Sequence, residues 1–397
     1  MRVASPILRQ PLPDVLGGES PQRVGILSTY PATPCGLATF SAALARGIEA
    51  NGAQVHIVRV LDGVSPPTPA AAGGVVVGEM RPGSPSSAIE AARLLNACDM
   101  VVVQHEYGLY GGEDGEDVLA VLAELRVPTI MVAHTVLQTP TSHQRAVLVA
   151  AADLADQVVV MSRAAHDRLL DVFAVDPAKV TIIPHGANTH APAGAPAVVD
   201  RSTMLTWGLV GPGKGMERVI DVLPHLRRRS PTARYVIAGQ THPKVLASQG
   251  EAYRSGLAAR ARHLGVADAV HFDPAYRDVD SLGSLIRTCG VVVLPYDSTD
   301  QVTSGVLVDA VAAGRPVVAT AFPHAVELLS SGAGIVVGHN DPDALELALA
   351  RLLTRPRVGA RMAAEAAKLA PSMGWPVVAR SYLSLAGHLS GARRAMV

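Results

Sequence analysis

The stretch Gln301–Thr320, QVTSGVLVDAVAAGRPVVAT, follows the apolar run Val291–Pro295 and combines residue types that can hold a charged ligand. It reads as a buried strand, a polar loop, a helix starting near Ser304–Gly305, then Gly314 and Pro316 before another apolar strand. A helix start made of small residues leaves backbone N–H groups unpaired and aimed outward, which suits a diphosphate. Asp309 lies a little over one turn inside that helix, where a carboxylate can hold a ribose. Phosphate donors beside a sugar-binding acid suggest a nucleotide-sugar pocket.

A second candidate is Gly208–Gly215, GLVGPGKG, which follows a strand and opens a helix. Gly211 and Gly213 let the backbone approach a phosphate, and Lys214 can neutralise it. Gly208 through Lys214 also fits G-x-x-x-x-G-K, the opening of a P-loop, but Gly215 stands where that motif needs a Ser or Thr hydroxyl for Mg²⁺. A phosphate loop, an NTPase and a plain strand-to-helix turn all remain open here.

The first half of the chain offers weaker signals at strand ends. In Thr33–Phe40, TPCGLATF, Gly36 can let a substrate approach the backbone or simply serve a tight turn; the G-x-G-x-x-G of dinucleotide binders is absent. In Gln104–Gly112, QHEYGLYGG, the residues Gln104, His105, Glu106 and Tyr107 look like a binding edge. His105 and Glu106 can bind an acceptor hydroxyl or pair with each other. His134 breaks an apolar run in MVAHTVLQT and is a site candidate, or a cap for the next loop. His185–Gly186 closes a further strand and is either turn or site, while Arg227–Arg229 reads as a solvated helix end.

These residues need a scaffold, and the pattern supplies one. Short apolar strands (Val24–Leu27, Gln54–Val60, Met100–Gln104, Thr129–Ala133, Gln157–Met161, Val180–Ile183) alternate with helical stretches such as Thr39–Asn51, Ser87–Ala97 and Asp117–Leu125. The Ala- and Pro-rich Asn188–Asp200 reads as a linker. Alternation then restarts, with strands at Met204–Leu209, Arg234–Ala238, Val270–Phe272, Val291–Leu294, Val317–Ala319 and Gly334–Val337. The expected fold class is α/β, with two Rossmann-like parallel-sheet domains facing across a cleft. The boundaries drawn are a tail over 1–21, a first domain over 22–190, a linker over 191–201, a second domain over 202–372 and a last helix over 373–397.

Composition narrows the partners. Lys+Arg and Asp+Glu both total 34, so the chain is formally neutral and unlike a general nucleic-acid binder. Aromatic content is only 4 %, so the cores must be built from Ala, Val and Leu. Cys35, Cys98 and Cys289 form neither metal spacing nor a disulfide framework, which fits a reducing, cytoplasmic setting. The first 21 residues lack the apolar segment of a signal peptide. No run of about 18 apolar residues exists to span a membrane. A peripheral contact at the inner membrane face stays open.

Taken together, CGLATF, HEYG, AHT, IPHG, GPGKG and SGVLVDAVAAGRPVVAT resemble a GT-B glycosyltransferase of the retaining family-4 type, over roughly Arg23 to Leu389. The sub-group most resembled is mannosyltransferase-like. The resemblance implies that Lys214 holds the donor diphosphate and that Ser304, Gly305 and Val306 surround it. Asp309 would take the place of the second acid of the E-x7-E motif, on the ribose. His134 would lie near the transferred sugar, and Gly36 would lie beside donor and acceptor. Lys214 and His134 thus become the catalytic candidates. The tail around Trp375 resembles the last helix of such enzymes, which crosses back onto the first domain.

Two positions depart from the pattern. Gln301 stands at the first acid of E-x7-E, with Asp300 adjacent and able to replace it after a one-residue shift. Leu209 stands where the family carries an arginine, for which Arg277 and Arg315 are candidate substitutes. The resulting expectation is a hexosyltransferase moving a sugar such as mannose from a GDP- or UDP-linked donor to a hydroxyl. The acceptor would be a carbohydrate, a lipid-linked intermediate or a small metabolite. No D-x-D-like pair sits at a strand end, so neither metal nor cofactor is expected. The rivals are a P-loop hydrolase, an NDP-sugar epimerase and a non-catalytic GT-B-like binding module.

Overall fold

The computed structural model describes residues 21–33, 35–62, 75–188, 198–275 and 277–395. The chain divides into two compact units, one spanning Ala187–Gly374 and the other made of the described residues up to Gly186 with those from Trp375 onward.

The unit that holds the start of the chain carries seven strands: β1 (Arg23–Ser28), β2 (Gln54–Val60), β3 (Val76–Met80), β4 (Met100–His105), β5 (Thr129–Ala133), β6 (Gln157–Val160) and β7 (Val180–Ile182). They form one sheet in the order β3-β2-β1-β4-β5-β6-β7, and every pair is parallel. The near-continuous Val, Ile and Met runs follow from burial on both sheet faces. Strand β3 is additional to the sequence expectation. Its VVGEM is short and only half-buried, and the buried Arg59 of β2 forms an ion pair with its part-exposed Glu79 at 2.5 Å.

The helix Trp375–Ala395 packs on the helix Gly36–Glu49 in this unit. Trp375 meets Phe40 edge-on at 4.8 Å, and Asn51 Nδ2 donates to the carbonyls of Gly47 and Pro376, both at 2.8 Å. A Cβ on Gly47 would stand 2.6 Å from the Trp375 carbonyl oxygen, so glycine is what admits this close approach.

The second unit carries β8 (Asp200–Trp207), β9 (Arg234–Ala238), β10 (Val270–Asp273), β11 (Cys289–Leu294), β12 (Val317–Thr320) and β13 (Gly334–Val337). Their order is β10-β9-β8-β11-β12-β13, again all parallel. Strand β8 starts earlier than its apolar run, because the Asp200 carboxylate accepts from the Ser202 and Thr203 side chains and gives the strand a polar beginning. Most of the expected linker, 189–197, lies outside the described residues. The helix Pro356–Met373 is also additional; Ala366 and Met373 are its only buried residues, too thin a stripe to register as a period. No helix among the described residues is long and apolar enough to cross a membrane.

In each sheet the strand order reverses once, between β1 and β4 and between β8 and β11. Ligands of open parallel sheets bind beyond the carboxyl ends of the strands at such switch points. Gly36 follows β1, Gln104–Tyr107 straddle the end of β4, Gly208–Gly215 follow β8, and Ser304 lies beyond β11.

Candidate functional site

The loop after β8 is shaped by its glycines. Gly213 has φ +86°, and a Cβ there would meet nothing within 4 Å, so the loop is open on that side. Gly215 differs: its φ is +62°, and a Cβ would lie 1.8 Å from the Pro295 carbonyl oxygen at the end of β11. Any side chain at 215 would collide with the neighbouring strand end. The hydroxyl a P-loop requires has no room, which counts against the NTPase rival. Gly211 is also closely packed, 3.2 Å from Val245 for an added Cβ. Lys214 lies over the ring of Tyr296, with Nζ 4.5 Å from its centroid, and burial holds its ammonium below the usual lysine range.

The helix Gly305–Ala312 begins where the sequence places it. Ser304 is its N-cap and accepts from Leu307 N–H at 3.3 Å, while Ser304 N–H donates to His324 Nδ1 at 2.9 Å. The N–H groups of Gly305 and Val306 are the ones left for a ligand. Asp309 is half-buried further along, its Oδ1 accepting from Asn188 N–H at 3.2 Å. Burial raises its carboxyl to about 7, with the Asn188 bond pulling the other way.

The departures have structural consequences. Gln301 Nε2 donates to the Thr303 carbonyl at 2.9 Å, so this side chain holds its own loop. Asp300 follows Ser298, whose Oγ accepts the Asp300 N–H at 3.2 Å. Arg315 cannot replace the arginine missing at Leu209. It donates to the carbonyls of Arg287 and Cys289, at the amino-terminal edge of β11, opposite the site. Arg277 is on the correct edge, paired with Asp273. Sequence reasoning missed Arg218, whose Nε and Nη2 grip Asp297 Oδ1 at 3.0 and 2.8 Å just beyond Tyr296.

The other unit gathers the remaining candidates at the β1/β4/β5 edge. Gly36 is the first residue of its helix, capped by Cys35 Sγ, which accepts from Ala38 N–H at 3.3 Å. A Cβ on Gly36 would meet nothing within 4 Å, so packing alone does not demand glycine there. Gln104 and His105 are almost fully buried. His134 Nε2 and Gln104 Oε1 lie 2.5 Å apart; with the amide in this orientation Nε2–H donates and Nδ1 is left as an acceptor. His105 does not pair with Glu106; its ring meets Tyr107 edge-on, centroids 5.3 Å apart. Glu106 instead accepts from Thr135 Oγ1 at 2.5 Å and from Tyr107 N–H at 3.1 Å. Burial, with His185 and His105 nearby, pushes His134 down to about 3. Burial alone takes His105 to about 4, and His185 also falls to about 4 by burial, opposed by its bond to Gly186. Three neutral imidazoles thus line this edge.

His185 Nδ1–H donates to the Gly186 carbonyl at 2.6 Å, and its ring lies 5.1 Å from Phe40. Among the described residues, one group has metal-ligand spacing, Glu113, Asp114 and His143. Both ring nitrogens of His143 face carboxylates, Asp114 at 3.1 Å and Glu116 at 3.4 Å, so it reads as an ion-paired clamp between loops. The three cysteines are free.

Comparison with known proteins bears on the same segments. Residues 34–191 match the profile described as Glycosyltransferase Family 4, and residues 192–369 match Glycosyl transferases group 1. The chain belongs to glycosyltransferase family 4. The D-inositol 3-phosphate glycosyltransferase of Kineococcus radiotolerans is 29 % identical over 259 residues, 59 % of this chain and 57 % of that protein. That of Streptomyces griseus is 29 % identical over 251 residues, 56 % and 52 %. The chain thus spans about half the length of the curated relatives it matches. Among solved structures, sucrose-phosphate synthase from Thermosynechococcus elongatus has a TM-score of 0.74 at 17 % identity, covering 94 % of this chain and 100 % of that one. Anabaena HepE in complex with UDP and glucose has a TM-score of 0.70 at 16 % identity, covering 93 % and 100 %. These neighbours share the GT-B fold of two Rossmann-like parallel-sheet domains.

Proposed function

We propose that the protein is a retaining glycosyltransferase that moves a hexose from a nucleoside-diphosphate sugar to a hydroxyl acceptor without a metal. The observation that carries this is the phosphate end at the β8/β11 switch point. One lysine ammonium, two free helix N–H groups and a half-buried carboxylate further into the same helix belong to it. Lys214 and the Gly305 and Val306 N–H groups are suited to hold the diphosphate, and Asp309 the ribose hydroxyls. A UDP-linked hexose is the first donor to test, because a structural neighbour was solved with UDP and glucose, and GDP-mannose is the second.

In the reaction, the bond from the sugar anomeric carbon to the β-phosphate oxygen breaks as the bond to the acceptor oxygen forms. The transition state carries oxocarbenium character, and negative charge grows on the leaving diphosphate. A preorganised ammonium and oriented N–H groups stabilise that charge. The acceptor attacks from the departing side and its proton passes to the leaving phosphate oxygen, so no protein nucleophile is required. Neutral His134, held by Gln104, is suited to accept a hydrogen bond from a sugar hydroxyl through Nδ1. Gln104 and His105 support this edge, while Glu106 and Tyr107 are suited to meet the acceptor.

The test is release of nucleoside diphosphate from UDP-glucose and GDP-mannose with a panel of sugar, cyclitol and lipid-linked acceptors in EDTA. The product anomer is read by NMR. Retention with the natural chain and loss of turnover in Lys214→Ala supports the proposal, and unchanged turnover in Lys214→Ala refutes it. A non-catalytic binding module is the second reading, favoured by Leu209 and by the Gln301 side chain being tied to Thr303. It predicts binding without transfer in the natural chain.

A further inference from the structure

Tyr296 was not among the sequence candidates, yet its side chain lies between the two parts of the phosphate end, in contact with Lys214. It follows Pro295 at the carboxyl end of β11 and is only 2 % exposed. Its ring face carries the Lys214 ammonium at 4.5 Å. Its hydroxyl points toward the side chain of Ser304, the N-cap of Gly305–Ala312. The ring also stacks on Phe322, centroids 5.3 Å apart. Its carbonyl accepts from Thr320 Oγ1 at 2.7 Å. Phe322 in turn leads into His324, which takes the Ser304 N–H.

Lysine is a point charge on a flexible four-carbon stem, so its position must be imposed by its surroundings. Among the described residues Lys214 makes no ion pair, and the aromatic face is the contact that localises it. We propose that Tyr296 is a positioning residue: its ring seats the Lys214 ammonium beside the Ser304 N-cap, so that the cation and the free Gly305 and Val306 N–H groups meet one diphosphate. This device offsets the arginine absent at Leu209 by fixing the remaining cation rather than adding a second. The inference rests on the donor-diphosphate assignment above.

The experiment is calorimetric titration in EDTA with UDP and GDP, each against its nucleoside, for wild type, Tyr296→Leu, Tyr296→Phe, Lys214→Ala and Tyr296→Leu with Lys214→Ala. The quantity read is the affinity ratio of diphosphate to nucleoside. A cation held on a desolvated ring predicts that Tyr296→Leu lowers this ratio about tenfold or more, with nucleoside affinity unchanged. Tyr296→Phe, which keeps the ring, stays within about threefold. In the Lys214→Ala background Tyr296→Leu has no further effect, as coupling of the two side chains requires.

If Tyr296→Leu does not fold, reductive ¹³C-methylation of the wild type decides. The chain's lysines are Lys179, Lys214, Lys244 and Lys368. The Lys214 dimethylammonium signal is expected upfield of the other three through the ring current, and at the position of the others if no ring lies beneath it. Equal losses from Tyr296→Leu in both lysine backgrounds, or no upfield signal, overturn the seat. If Lys214→Ala leaves the ratio intact, the donor assignment fails and takes the seat with it. If Lys214→Ala lowers it while Tyr296→Leu does not, the seat alone fails.

Discussion

Asp309 shows how burial turns an ordinary carboxyl into a pH-dependent ligand. Its folded value is about 7 against 3.8 for the free side chain. Between these values the folded chain keeps a proton that the unfolded chain releases, so this group makes ligand-free stability fall as pH rises through that window. Ribose hydroxyls donate best to the ionised form, so nucleotide affinity should rise as pH passes through about 7. Asp309→Asn should flatten the stability profile, raise the ligand-free melting temperature on the alkaline side, and remove the Asp309 part of the pH dependence of UDP binding. Melting and calorimetry across that range check both, and an unchanged profile in Asp309→Asn contradicts the assignment. At this scale Lys214, Ser304 and Asp309 were legible because a loop, a cap and a helix register fix them locally. Gln104 and His105 were legible as a position but not as partners. Which of two adjacent side chains turns inward toward His134 depends on strand pairing, which no local spacing states. Tyr296 escaped because an aromatic after an apolar strand reads as core, and its contacts come from loops distant in sequence.

At the scale of elements, the glycine loop decides between two chemistries. Gly215 combines a left-handed backbone with a strand end pressed against its α-carbon. Gly215→Ser, which would complete the P-loop pattern, is expected to cost at least about 3 kcal/mol of stability and to confer no ATP hydrolysis. Chemical denaturation and a Mg-ATP assay measure this. A stable variant with new magnesium-dependent hydrolysis would overturn the structural argument. The strands were legible wherever both faces are buried, since apolar runs then need no alternation. Strand β3, half-buried and salt-bridged, and the helix Pro356–Met373, with Gly359 and Pro371 in its sequence, lack that signal. The polar opening of β8 hid its first residues for the same reason.

Across the whole molecule, two parallel sheets each reverse strand order once, and every candidate site residue lies in a loop, or at a strand or helix end, near the carboxyl edge of its own sheet, apart from Asp309 inside its helix. That repetition was readable from alternating apolar and amphipathic segments. The family match over both halves agrees with it. Which sugar and which acceptor are used is decided by a few side chains whose roles do not follow from the fold. The central claim is that this edge of the second unit is a metal-independent nucleoside-diphosphate site. A ligand that binds only the native state raises its melting temperature. The most direct measurement is therefore thermal unfolding of the wild type and Lys214→Ala in EDTA with UDP, GDP and ADP, and with Mg-ATP as the control. The account predicts stabilisation of the wild type by one diphosphate without metal, and its loss in Lys214→Ala. Stabilisation by Mg-ATP alone, or equal stabilisation of both proteins, would contradict it.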